Sequence, residues 1–283
     1  MDFKRALSIL IIAFIVLNVF LVLNIWARER PVEDYELTLS QQQEIQSLLD
    51  EKGIEIQAEI PEKWQLQPFL EVGYKEVDEE KVIDDFFGQN ASPKVELLDN
   101  GKNYNYDNKQ LIIMENGIIT FFDKQNKKSD EQITKNQAIK MAQDFMQSHG
   151  GIPKDAEINS IVYDEKSNGY LVQYVRNYDG FFIANSYIDI LTTPLGVKSY
   201  YQCWLKAYGY KGKQRAVISP LIAVLRVSEE LKEHDSTVIT DLKQGFYSRF
   251  YDAKRWEATP VWKVQLKSGD IYYINAYTGE LEQ

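Results

Sequence analysis

YLVQYVRNYDGFFIANSYIDILTTPLGVKSYYQ, from Tyr170 to Gln202, is the stretch that decides the fold. Aromatic and β-branched residues dominate it, and turn chemistry breaks it into pieces of strand length. Tyr170–Arg176 and Phe182–Ile190 flank Asp179-Gly180, while Val197–Leu205 continues beyond Gln202. Upstream, Glu157–Tyr163 is set off from Tyr170 by Asn168-Gly169, a second turn pair. Strands linked this tightly run antiparallel, and their apolar side needs a helix or a second lobe to cover it.

Working outward, helices and further strands appear in alternation. Toward the N-terminus, Thr134 and Gln137 make a capping box before Ala138, Met141, Ala142, Phe145 and Met146, an amphipathic helix closed by His149-Gly150-Gly151. The polar stretch Asp123–Gln132 before it reads as a lobe boundary. Leu111–Glu115 and Ile118–Phe122 flank Asn116-Gly117, the strongest short hairpin signal. Asp78 caps a short helix carrying Val82, Ile83, Phe86 and Phe87, with Val77 and Val82 placed as a hydrophobic staple. Ser40 with Gln43 predicts another capped helix, ended by Gly53 and followed by a half-buried strand from Ile54 to Ile60 that Pro61 stops.

Toward the C-terminus, a basic loop from Tyr208 to Arg215 leads to Ser219-Pro220, an N-cap followed by proline at the first helical position. Leu221, Val224, Leu225 and Leu231 line one face of that helix. Strands are expected near Val238–Phe246, Val261–Lys267 and Ile271–Ala276. In the second, Trp262, Val264 and Leu266 share one face, and Lys263, Gln265 and Lys267 the other. The class is α+β, a two-lobed domain of antiparallel sheets covered by helices.

Ahead of this domain, Ala6–Trp26 (ALSILIIAFIVLNVFLVLNIW) runs 21 residues without a charge. As a helix it is about 31 Å long, the hydrocarbon thickness of a bilayer. It exceeds the apolar core of a signal peptide, and no small-x-small cleavage site follows Trp26, so a retained transmembrane anchor is expected. Lys4 and Arg5 before the span tie with Arg28 and Arg30 after it, so flanking charge leaves the orientation open. Phe14, Asn18, Leu21 and Ile25 fall on one stripe, a candidate contact face for a partner helix. The Asn18 amide needs a hydrogen bond in lipid, from a partner helix or from its own backbone. The expected divisions are a cytoplasmic stub and span (1–27), a juxtamembrane segment (28–39), and extracytoplasmic lobes at 40–130 and 131–283.

Chemistry is scarce. With 42 acids against 32 bases the net charge is −10, which disfavours a phosphate-backbone partner and hence nucleic acid. One cysteine, Cys203, rules out an intramolecular disulfide, and as a strand residue beside Trp204 it behaves as a small hydrophobe. His149, in a last helical turn, suits capping, where the helix dipole favours a cation. His234, among Lys232, Glu233 and Asp235, reads as a solvated surface residue. The acid pairs Glu79-Glu80, Asp84-Asp85 and Glu229-Glu230 read as exposed helix faces, and Asp99-Asn100-Gly101 as a turn, since it lacks the order of a calcium loop. No hydrolase, zinc or nucleotide motif occurs, so neither catalytic residues nor cofactors are expected. Eighteen tyrosines and five tryptophans suit sheet faces and interaction surfaces.

The basic start MDFKR, the single anchor, the capped helix running into Gly53-Ile54, the strands of Tyr170–Gln202 and the ending PVWKVQLKSGDIYYINAYTGELE (Pro260–Glu282) together resemble the YycI (WalI) family of Gram-positive bacteria. One departure is Phe182, where that pattern leads one to expect a proline. The resemblance implies a single-pass protein with its N-terminus in the cytoplasm and its bulk outside the cell membrane. It implies a non-enzymatic role, restraining the WalK (YycG) sensor histidine kinase together with a YycH-like partner through transmembrane-helix contacts. Trp262–Glu282 also resembles the final hairpin of PepSY-type domains, which would imply an extracytoplasmic binding module or peptidase inhibitor. A wall hydrolase working through paired carboxylates is a more distant alternative.

Overall fold

A computed structural model describes residues 13–14, 17–19, 38–61, 64, 66–125, 129–231, 237–249 and 253–282. The chain divides into two compact units, Met1–Glu36 and Leu37–Gln283. In the first, Ala13, Phe14, Leu17, Asn18 and Val19 are helical and exposed. The rest of the expected span, Leu21 and Ile25 included, lies outside the described residues, among which no helix is long and apolar enough to cross a membrane. The strand and hairpin signals are carried by the second unit.

Its described helices are α1 (Leu39–Glu51), α2 (Glu79–Phe87), α3 (Lys135–Ser148) and α4 (Pro220–Glu230). Each starts where a side chain satisfies backbone N–H groups that have no partner within the helix. Asp78, Thr134 and Ser219 are the N-caps of α2, α3 and α4, as their spacing predicts. Helix α1 begins earlier than Ser40 predicts. Its capping box is Thr38 with Gln41, and the Ser40 hydroxyl bonds the Thr38 hydroxyl at 3.0 Å instead.

The strands are β1 (Ile54–Ile56), β2 (Gln67–Gly73), β3 (Lys94–Leu98), β4 (Gly101–Tyr106), β5 (Lys109–Met114), β6 (Ile119–Asp123), β7 (Ala156–Asp164) and β8 (Gly169–Tyr178). Then come β9 (Phe181–Thr193), β10 (Gly196–Cys203), β11 (Lys206–Arg215), β12 (Thr237–Tyr247), β13 (Trp256–Leu266), β14 (Ile271–Asn275) and β15 (Leu281–Glu282). They join in one sheet whose main path is β11-β2-β13-β12-β9-β10-β6-β5-β4-β3. The first strand ends at Ile56, short of the expected Ile60, because Gln57 and Ala58 both donate to the Ile239 carbonyl and the ladder stops there. The Tyr208–Arg215 stretch, expected as a loop, belongs to β11. It is an exposed edge strand whose lysines and glycines carry no alternation to betray it.

Strand β9 turns this sheet into two lobes. Phe182 and Ile183 run parallel to Gly245 and Phe246 of β12, whereas Tyr187–Thr193 run antiparallel to β10. Between them, Ile183 pairs with Arg176 and Tyr187 with Val175, leaving Ala184, Asn185 and Ser186 as a bulge that lets the strand change neighbours. One lobe packs α2 and α3 on β4–β6 and β8–β10, around Phe86, Leu111, Phe121, Ala142, Met146 and Ile190. The other packs α1 and α4 on β12–β14, around Leu49, Val224, Ile239, Trp262, Val264 and Ile274. A third cluster, with Leu70, Ile183, Leu205, Phe246 and Ala258, fills the seam.

The seam is not at residue 130. Strands β5 and β6 and helix α3 share one core across the polar Asp123–Gln132 connection. Meanwhile α1 and β2, from the N-terminal part, pack and pair with C-terminal elements. The polar stretch marks a solvent-exposed connection rather than a gap between cores.

Candidate functional site

Helices α2 and α3 cover one face of their lobe's sheet, the face of Leu111, Phe121, Val172, Ile188 and Tyr200. Strand alternation sends the intervening residues to the other side. Register aligns them into rows. One row crosses the sheet as Asn103, Ile112, Thr120, Tyr201, Asp189 and Gln173. The next runs Phe122, Ser199, Leu191, Leu171 and Val162. This face is open, with Phe122 40% and Val162 56% exposed. A polar row beside a mostly apolar one on an open sheet is the make-up of an interaction surface.

The polar row continues into a relay toward the second lobe. Gln173 donates to Asp189 at 2.8 Å, and Asn159 donates to Gln173 at 2.6 Å. Asn159 sits where the β7 register shifts between Ile158 and Ser160, and that bulge aims it out of the ladder. Its carbonyl oxygen accepts from Lys263 Nζ at 2.8 Å. Lys263, expected on the polar face of β13, is only 3% exposed. Asp241 holds it at 2.8 Å and also reaches Lys243 at 3.2 Å, which bridges two lysines that stand opposite each other in the ladder.

Rings surround the relay. Tyr187 stacks on Tyr201 with centroids 5.3 Å apart. Tyr247 stacks on Tyr273 at 5.2 Å, with Phe182 at 6.1 Å from Tyr273. Burial, with Tyr247 and Tyr187 close by, pushes the Tyr273 phenol up to about 12. Burial also raises the Asp189 carboxyl, against the Gln173 bond. At Asp241 burial works in the same direction, but the hydrogen bond and charge of Lys263, with Lys243, hold the carboxyl below its usual range. The two acids of the relay are thus driven apart by the presence or absence of a cation.

Asp241 and Lys263 neutralise each other, and burial pushes the Cys203 thiol up to about 12, where it is a poor nucleophile. His149 closes α3 as expected: a ring nitrogen meets the Phe145 carbonyl at 2.8 Å and the ring stacks on Phe145. Its charge differs from the dipole-based expectation, because burial lowers its pKa more than that bond raises it. Glu79 binds Lys102 at 2.8 Å and accepts from Tyr104, and Glu229 binds Arg226 at 3.1 Å. Among the described residues no His, Cys, Asp or Glu group could hold a metal ion. His234 lies outside them.

Of the expected helix-contact stripe, Phe14 and Asn18 are described, and Asn18 Nδ2 donates to the Phe14 carbonyl at 2.8 Å. Sequence reading missed Asp189, Gln173, Asn159 and Lys263. Their one signal is a polar residue inside an apolar run, as in Tyr187-Ile188-Asp189-Ile190-Leu191 and Val261-Trp262-Lys263-Val264.

A family model described as "YycI protein" matches residues 33–277. The chain belongs to the YycI family. YycI proteins are a regulatory, non-catalytic family. No curated protein matches the chain. Among solved structures, an uncharacterized protein from Eubacterium rectale is similar in fold, with a TM-score of 0.54 at 12% identity over 86% of this chain and 98% of that one. That likeness carries the fold alone.

Proposed function

We propose that this YycI-family chain is a single-pass membrane regulator that restrains the WalK sensor histidine kinase together with a YycH-like partner. In this reading Ala6–Trp26 crosses the cell membrane, the N-terminus is cytoplasmic, and the compact unit from Leu37 onward lies outside. The family match over residues 33–277 carries the reading. The uncharged stretch Ala6–Trp26 supports the anchor. Lipid tails are as apolar as leucine, so specific pairing of such an anchor with a kinase helix rests on shape and polar contacts.

The test replaces Ala6–Trp26 with an unrelated span and follows both co-purification with the kinase and kinase output. Loss of both, with the outer unit still folded and displayed, is expected. Unchanged co-purification and output would reduce the anchor to a tether and move the contact to the outer surface. A phosphatase reporter at the C-terminus should be active outside the membrane, and an inactive one would reverse the orientation.

A further inference from the structure

Asp189 is a charge on the open face that has no ion-pair partner among the described residues. It stands opposite Tyr201 on β10 and Gln173 on β8, with Tyr187 two residues before it on the same side. Among the described residues Gln173 is its hydrogen-bond partner and no cation forms an ion pair with it. A carboxylate offers about four lone-pair sites, so most of its capacity is unused. Lys263, at the far end of the relay, is already held by Asp241 and Asn159. Beside Asp189 lies the stacked Tyr187–Tyr201 pair, whose π-faces attract cations. One register step away runs the row of Leu191, Leu171 and Phe122, which suits the methylene stem that lysine and arginine lay along apolar surface.

We propose that Asp189, with the rings of Tyr187 and Tyr201, receives an alkylammonium or guanidinium head, and that a lysine or arginine side chain of a partner polypeptide supplies it. The carboxylate takes the charge-assisted hydrogen bond and the stacked rings the exposed flank of the cation. The apolar row contacts the stem and its neighbours. An uncompensated carboxylate is an expense to the fold unless something pairs with it, which is the usual signature of a residue kept for binding. This site is independent of the anchor, so it stands or falls apart from the helix contact proposed above.

The test uses the full chain in zwitterionic micelles, labelled with 3-fluorotyrosine and followed by fluorine NMR. Tyr187→Phe and Tyr201→Phe assign the two resonances. The probes are N-acetyl-lysine N-methylamide, its Nε-acetylated derivative, which lacks the charge, and a short peptide with the same lysine between two leucines. Saturable shifts of both resonances with the charged probes and none with the acetylated one are expected. Asp189→Asn, which preserves the shape, should weaken binding about tenfold or more without lowering the melting temperature. The peptide should bind more tightly than the single amino acid. Equal affinities would overturn the polypeptide as the source and leave a small organic cation. An equal response to the acetylated probe, an unaffected Asp189→Asn variant, or no response at all would overturn the site.

Discussion

Lys263 Nζ meets the Asn159 carbonyl oxygen at 2.8 Å, joining β13 of one lobe to the bulge of β7 in the other across 104 residues of chain. The contact fixes how the two flanks of the sheet face each other, because each partner is itself held, Lys263 by Asp241 and Asn159 by Gln173. Lys263→Met keeps the stem and removes the charge. It leaves Asp241 with Lys243 alone and Asn159 without its donor. A loss of about 2–4 kcal/mol is expected, because breaking a buried pair strands the remaining charge. Urea unfolding of the unit from Leu37 onward checks it, and a loss below about 0.5 kcal/mol would mean that the ammonium is not buried as described.

Gly245 stands beside Phe182 in the short parallel pairing of β9 and β12. A Cβ placed there would lie 2.4 Å from the Phe182 ring. The missing side chain thus makes room for the Phe182 ring. Gly245→Ala should destabilise by about 1–3 kcal/mol through overpacking, and adding Phe182→Ala should return part of that by opening space. Thermal unfolding of both variants decides it. A Gly245→Ala protein as stable as the parent would show that the ring moves aside freely.

Local signals were the legible part of this fold. Asp78, Thr134 and Ser219 announce their helices because a cap is a contact between near neighbours. The hairpin at Asn116-Gly117 is local in the same way, with Gly117 at φ 81°. Strand β2 escaped because Pro61 and Pro68 interrupt the run that leads to its fully buried Leu70 and Val72. The division between the lobes could not be read because it depends on which strands adjoin. Alternation shows that Asp189 and Tyr187 share a face, but only the pairing of β9 with β8 and β10 sets Gln173 and Tyr201 beside them. The relay to Lys263 adds a bulge and a contact between distant strands, neither of which leaves a mark on composition.

Asp189 gives a pH test. Burial raises its folded-state pKa above the ordinary 3.8. The folded protein therefore holds that proton more tightly than the unfolded chain, and the associated stability is present at low pH and lost as pH rises through the folded value. Around it Tyr187, Tyr201 and Cys203, all pushed upward by burial, stay uncharged near neutrality. Asp189→Asn should therefore be more stable than the parent at pH 7, with the difference shrinking as pH falls toward 3.8. Unfolding free energies of the pair at several pH values check it. A variant less stable at pH 7 would mean that the carboxylate is compensated within the fold.

The proposed anchor offers the last test. Asn18 gives one amide hydrogen to the Phe14 carbonyl at 2.8 Å, within its own helix. A polar group already bonded to its own backbone has less to gain from a partner, and interhelical amide bonds reach about 1–2 kcal/mol only when the alternative is an unsatisfied group in lipid. If the proposed span pairs with a kinase helix, Asn18→Leu should then change that association by less than about 0.5 kcal/mol. Phe14→Ala, which removes a ring from the same stripe, should weaken it more, because packing shape carries specificity between helices in lipid. Energy transfer between labelled spans in bilayers measures both. A large loss with Asn18→Leu and none with Phe14→Ala would place the amide, rather than the ring, at the contact.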